Sequence, residues 1–283
     1  MDNNKKPDLK ISGSGSSGGG IFDQVKISGS GTVTGNVECN EFDTSGSSRV
    51  IGNVTADIFK TSGSSKVSGN LTSNEIKTSG MTNIEGNVEA KLIKTSGSCR
   101  IGGNALANDI NTSGSINILG GVKVKNFNTS GGAKIGKGVH GESIDFSGAI
   151  KVFEDCEAEV FKAKGSFDIG GLLNAGDISI EIYGSCKVKE IGGENIEVKK
   201  GTATFFFIQK IMSYFSDTFN YLTTDIIEGD NICLENTIAK VVRGNNITIG
   251  ADCKIDLIEY KDKINISDKS TVKEQKLYTH PKL

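Results

Sequence analysis

Few residues in this chain could carry chemistry, and their spacing argues against most reactions. There are two histidines, His140 and His280, and neither has a cysteine or second histidine at metal-ligand spacing. A solenoid acyltransferase needs a catalytic histidine in an intersubunit cleft, and His140 is the one candidate; the expected role of both histidines is that of surface residues. Six cysteines (Cys39, Cys99, Cys156, Cys186, Cys233 and Cys253) are scattered without a metal or disulfide framework. Cys39 and Cys156 stand where other copies of a repeat carry inward apolar residues, so the thiols read as small buried hydrophobes in a reducing cytoplasm. Arginine occurs only at Arg49, Arg100 and Arg243, and Glu38, Glu41, Asp57 and Glu75 read as solvated outer faces rather than as the paired carboxylates of a glycosidase. The run Gly13 to Gly20 lacks the Gly-Lys-Ser/Thr ending of a phosphate loop. A net charge of −2 offers no basic footprint for nucleic acid. No catalytic residue, metal ligand or cofactor site is assigned, and the chain reads as a non-enzyme.

What must position these residues is a repeat. Ser28-Gly29 opens a phrase that returns at steps of 17, at Ser45, Ser62, Ser79, Ser96, Ser113, Ser130 and Ser147. Lys164-Gly165 keeps the frame, and it resumes at Tyr183-Gly184 and Lys200-Gly201 after a slip of two. A fixed short period means stacked supersecondary units. Val33, Val50, Val67, Ile84, Ile101, Ile118, Ile135 and Val152 form one apolar column; Phe42, Phe59, Ile76, Ile93, Ile110, Phe127, Ile144, Phe161 and Ile178 form another. Within a copy the apolar positions alternate with period two and then change phase once, so each copy is strands and corners without a helix. Gly52-Asn53 and its equivalents mark one corner and Thr61-Ser62-Gly63 and its equivalents another, where positive φ is expected of glycine. The expected fold is all-β: a parallel three-sided β-solenoid with coils of about 17 residues stacked at ~4.8 Å, wound as a right-handed β-helix by the crossover rule. The alternative is a left-handed hexapeptide coil, which Ile51-Gly52-Asn53-Val54-Thr55-Ala56 fits but most copies do not. Threonine, serine and asparagine columns are expected to form hydrogen-bonded ladders. A regular threonine column also raises ice binding, but each coil supplies one Thr beside a corner rather than a Thr-x-Thr pair.

The organisation follows. Residues 1–8 read as a flexible tail without the apolar run of a secretory leader, 9–204 as solenoid, 228–270 as further coils, and 271–283 as a lysine-rich tail that frays. Between the two blocks of coils, residues 205–227 read as an aromatic amphipathic insertion of helical spacing. Phe205, Phe206, Phe207, Ile208, Ile211, Met212, Phe215 and Phe219 are its candidate contacts, either with the solenoid itself or with a membrane surface or an envelope-associated partner. Lys210 and Asp217 interrupt the segment, which is too short to span a bilayer. The 37 glycines, roughly twice the usual ~7% share, are explained by corners, and prolines occur only at Pro7 and Pro281.

A solenoid ends in strand edges that template further strands unless something blocks them. Leu9 and Ile11 at one end, and Ile264 and Ile266 at the other, are therefore the candidate polymerisation residues, with like-on-like contact of identical ends as the expected geometry. The coil Ser45-Gly-Ser-Ser-Arg-Val50-Ile-Gly52-Asn53-Val54-Thr-Ala56-Asp-Ile-Phe59, and the Val/Ile-x-Gly-Asn-Val/Leu phrase at 50–54, 67–71 and 84–88, resemble those of the bactofilins, bacterial polymer-forming cytoskeletal proteins. The resemblance implies a right-handed triangular β-helix between tails, polymerisation without nucleotide by stacking of solenoid ends, membrane attachment, and scaffolding of cell-envelope enzymes. This chain has about twice the coils that family leads one to expect, and it adds the aromatic segment 205–222. The resulting expectation is a cytoplasmic filament-forming scaffold whose main partner is itself. The alternative is a non-catalytic solenoid that binds a partner or surface, as a coat, adhesin or ice-binding protein does.

Overall fold

The structure is a computed structural model that describes residues 6–201 and 220–277. Among these residues there is no helix: every regular element is a strand, and all pairings recorded between strands are parallel. The chain divides into two compact units, Met1–His140 and Gly141–Leu283, and each is a parallel β-solenoid.

In the first unit two long strands, Ser14–Ile27 and Ser30–Thr44, lead into a strict alternation of short and long strands. Ser47–Ile51 is followed by Val54–Thr61, Ser64–Val67 by Leu71–Thr78, Met81–Ile84 by Val88–Thr95, and so on to Val122–Thr129. The register is the sequence period itself: Val50 pairs with Val67, Phe59 with Ile76, and Thr61 with Thr78. Each long strand changes face midway. In Val54–Thr61 the buried residues are Val54, Ala56, Phe59 and Thr61, so the alternation skips once between Ala56 and Phe59. That skip is the second corner of the coil, and with the Asn and Ser-Gly corners it makes the three sides that the phase change in the sequence predicts.

The core is the set of inward columns. Val33, Val50, Val67, Ile84, Ile101, Ile118 and Ile135 are each fully buried and stack on one another coil after coil. Phe42 lies flat on Phe59, ring centroids 5.1 Å apart at 15°, which is how identical aromatic side chains fit a strand spacing of ~4.8 Å.

In the second unit Ser143–Phe146 and Ala149–Val152 lead into one continuous strand, Cys156–Lys200, that winds on without interruption. Leu222–Leu234, Thr237–Ile249, Lys254–Ile266 and Thr271–Leu277 complete it. Ile196, Ile232 and Ile247 pair in series and carry the apolar column forward, although 36 residues separate the first two and 15 the next.

Several expectations change. Residues Phe205 to Phe219 lie outside the described residues, but the last part of the expected helical insertion, 222–227, is strand: Leu222 is fully buried and pairs with Cys186 and Thr237. Its apolar residues mimic a helical spacing only when read together with the aromatic run before them. Thr271–Leu277, expected to fray, pairs with Lys254–Tyr260. The turn before it is tied down, because the Ser270 hydroxyl donates to the Gly250 carbonyl (2.6 Å) and accepts from the Cys253 N–H (2.8 Å). The start of the chain is also engaged earlier than expected: the Pro7 carbonyl accepts from the Asp23 N–H at 2.9 Å, and Lys6 reaches Glu38.

Candidate functional site

Among the described residues no cluster of histidine, cysteine or carboxylate side chains could hold a metal ion.

The corners set how faithfully coils stack. At the Asn corner each side-chain carbonyl accepts the backbone N–H of the coil above. Asn36 Oδ1 takes Asn53 N–H, Asn53 takes Asn70, Asn70 takes Asn87, Asn87 takes Asn104, and Asn104 takes Gly121, all at 2.8–2.9 Å. Asp155 does the same for Leu172 in the second unit. At this corner Gly35 and Gly52 do hold positive φ, 114° and 156°. At the Ser-Gly corner the reason for glycine differs from the expected one. In that column only Gly165 has a positive φ; elsewhere a Cβ on Gly46, Gly63, Gly80, Gly97 or Gly114 would run into the carbonyl of the glycine one coil below. Close backbone approach, not dihedral freedom, fixes the residue there.

The threonine column turns out to face inward. Thr44, Thr61, Thr78, Thr95, Thr112 and Thr129 are at most 4% exposed, so they form no ice-matching surface. The expected ladder is partial: Thr44 Oγ1 donates to Ser48 (3.1 Å) and Ser48 to Ser65 (2.9 Å), but Thr61, Thr78 and Thr112 hydroxyls have no hydrogen-bond partner among the described residues. Outside, stacking in register would set like charge on like. Some columns do stack like on like, as Lys60, Lys77 and Lys94 show, but others alternate. Asn40 donates to Asp23, Asn74 to Asp57 and Asn126 to Asp109, while Arg243 sits between Glu228 and Glu259 of the coils on either side.

The cysteines are all free, and Cys233 alone is half-buried. Burial pushes the Cys99, Cys156 and Cys186 thiols up to about 12, which removes them as nucleophiles or metal ligands at neutral pH. His140 is exposed in the short strand Val139–His140.

The two edges remain. At the first, Leu9–Ile11 pairs on one side with Val25–Ile27 and, among the described residues, has no strand on the other. Leu9 and Ile11 are half-buried, whereas Val25 and Ile27 one coil further in are fully buried. Ser14–Phe22 likewise pairs only with Ser30–Cys39. Residues 13–20 of the edge coil are glycine and serine alone: a Cβ on Gly13 or Gly18 would meet nothing within 4 Å, and Ile11 lies against Gly15 and Gly31. At the second edge, Ile264 and Ile266 pair with Ile247 and Ile249 and are half-buried, with no strand above them among the described residues. Beside them Thr271–Leu277 rises one strand higher, exposing Leu277 and half-exposing Val272. The sequence-predicted residues thus fall into two pairs, one on each edge strand. Phe22, Val272 and Leu277 were missed; the spacing that sets Phe22 below Cys39 could have found the first.

No family model matches the chain, and no solved structure matches it. It is 41% identical over 106 residues to the uncharacterized protein YhbF of Bacillus subtilis, a match covering 37% of this chain and 41% of that protein. It is 41% identical over 95 residues to the uncharacterized protein YhbE of the same organism, covering 32% of this chain and 37% of the relative. The chain spans about two fifths of the length of each curated relative it matches.

Proposed function

We propose that the chain is a cytoplasmic scaffold protein that assembles into filaments by stacking solenoid ends, without nucleotide, and so positions envelope or morphogenesis proteins, as the resemblance to bactofilins implies. One observation carries this reading: the edge segments Leu9–Ile11 and Ile264–Ile266 leave a row of backbone groups unpaired among the described residues while half-exposing apolar side chains that the next coil inward buries. Such an edge is a template for another strand. No charge bars either edge from within, because Leu9, Ile11, Ile264 and Ile266 all occupy the inward column. The free, largely buried cysteines suit a reducing compartment. No helix of the described residues is long and apolar enough to cross a membrane.

The test is assembly of the purified chain in plain buffer, watched by negative-stain microscopy and sedimentation. Filaments are expected without ATP or GTP. Ile11→Asp and Ile266→Asp should shorten them while leaving the circular dichroism unchanged, since each places a charge at an edge. A monodisperse monomer at high concentration would overturn the reading and favour the surface-binding alternative.

A further inference from the structure

Granted that the ends assemble, the remaining question is which end meets which, and the register of the edge strands answers it. Each edge is a step rather than a flat plane. At the first edge the raised strand is Leu9–Ile11, on the face of Val25–Ile27, while Ser14–Phe22 lies one strand deeper on the other faces. At the second edge the raised strand is Thr271–Leu277, on the face of Lys254–Tyr260, while Ile264–Ile266 lies one strand deeper.

The columns show that these steps are complementary. Leu9 and Ile11 share the columns of Val25 and Ile27, which the repeat carries through Phe42 and Thr44, and through Phe161 and Ile178 in the second unit. In that unit the same apolar column continues from Ile196 through Ile232 and Ile247 to Ile264. Leu9 and Ile264 therefore hold equivalent positions in the repeat, as do Ile11 and Ile266. On the other faces Val188, the valine of the Val33 column, lies in the column of Thr224, Ala239, Ile255 and Val272. Ser17 pairs with Val33, so Val272 and Ser17 hold equivalent positions in the repeat. By the same count Leu277, above Tyr260 and Gly244, is the repeat equivalent of Phe22 and Cys39.

We infer that the second edge of one copy receives the first edge of the next, head to tail, so that the two steps interlock and the parallel β-sheet continues across the junction. The partner is a second copy of this chain, and the assembly is polar rather than the like-on-like stack that open edges alone suggest. In this register Ile264 and Ile266 lie under Leu9 and Ile11, and Leu277 lies under Phe22. Each of these three pairs matches apolar with apolar, while Val272 comes under Ser17 and the exposed Ile21 over Lys276. Asp8 comes over Lys263, opposite in charge. Like-on-like contact of the first edges fits worse. Raised strand on raised strand sets Lys10 against Lys10 and leaves the Ser14–Phe22 faces apart, whereas raised strand on Ser14–Gly18 gives Leu9 and Ile11 only serine and glycine to cover them.

The test uses outward residues of the two edge strands in the full chain. Lys10→Cys and Asn265→Cys are made separately and together, each in a Cys233→Ser background that removes the half-buried thiol. After mild oxidation, a mixture of the two single variants should give a covalent dimer that neither gives alone, and the double variant should give a ladder of multiples of 29.9 kDa. Covalent dimers from one single variant alone, with no gain on mixing, would overturn the head-to-tail register while leaving end-to-end assembly standing. Filaments in the microscope with no cross-link in any combination would overturn the register too. Monomer throughout, without cross-links or filaments, would overturn both the register and the assembly on which it rests.

Discussion

Single side chains in this molecule matter by column. Ile101 is fully buried between Ile84 and Ile118 of the adjoining coils. Ile101→Asp would hold a carboxylate between two apolar layers, a cost of several kcal/mol on the order of what an unpaired buried polar group demands. The inward hydroxyls are the opposite case. Thr78 Oγ1 is buried without a hydrogen-bond partner among the described residues, so Thr78→Val replaces an unsatisfied oxygen by a methyl group of the same shape. Its effect is expected to be neutral or stabilising by up to about 1 kcal/mol. Thermal melts of both variants check the pair; a Thr78→Val protein that melts well below the parent would show that the hydroxyl is satisfied after all. The apolar columns were legible in the sequence because burial and period coincide there. The state of the threonines was not, since a repeating Thr beside a corner reads the same whether it faces in or out.

At the scale of an element, a coil is a set of strands joined by corners, and the corners transmit register. Asn53 Oδ1 accepts the Asn70 N–H at 2.8 Å and Asn70 Oδ1 accepts the Asn87 N–H at 2.8 Å, so each coil from Asn36 to Asn104 caps the one above. Asn70→Ala removes that acceptor and is expected to cost about 1 kcal/mol, softened by water at this exposed corner, whereas Asn70→Asp keeps an acceptor and should cost less. Hydrogen exchange at the Asn87 amide checks it: faster in the Ala variant, near parental in the Asp variant. The corner residues were visible as punctuation in the sequence, but their reasons were not all visible. Glycine at the Ser-Gly corner is required by a carbonyl one coil away, a contact that no local reading of φ preference contains. The strand Thr271–Leu277 was missed for a related reason. With no coil above it among the described residues, only Val272 is partly covered, so the inside-outside alternation that betrays a strand is absent.

For the whole molecule, stability in alkali follows from the buried thiols. The ordinary value for a cysteine is 9.0, and burial holds Cys99, Cys156 and Cys186 at about 12. Between these values the unfolded chain gives up protons that the folded chain keeps. Stability is therefore fully present below pH 9 and is lost as pH rises through 12. The melting temperature is expected to fall steadily from pH 8.5 to pH 11. A triple Cys99→Ala, Cys156→Ala, Cys186→Ala variant, though less stable at neutral pH, should show a shallower decline over the same range. Equal slopes for the two proteins would mean that other groups dominate. At this scale the solenoid was readable from the period alone, and the positions of the edge residues with it. The step shape of the edges was not, because it depends on where pairing stops, which follows from Pro7 and Thr271–Leu277 rather than from any repeated residue.

The identity of successive Ser-Gly corners turns length into something that can be counted out in whole numbers. Thr78 and Thr95 occupy equivalent points on consecutive turns, and Ser79 and Ser96 follow them. Excising residues 79–95 would join Thr78 to Ser96 at a junction that already exists elsewhere in the chain. The shortened protein is expected to fold, to keep both edges unaltered, and to lose one rise of ~4.8 Å. Excision of a number of residues that is not a whole period would instead turn the inward columns out to solvent. Misaligned recombination between neighbouring copies in a gene like this would therefore shorten or lengthen the first unit by whole turns, and each product would keep its inward columns in register.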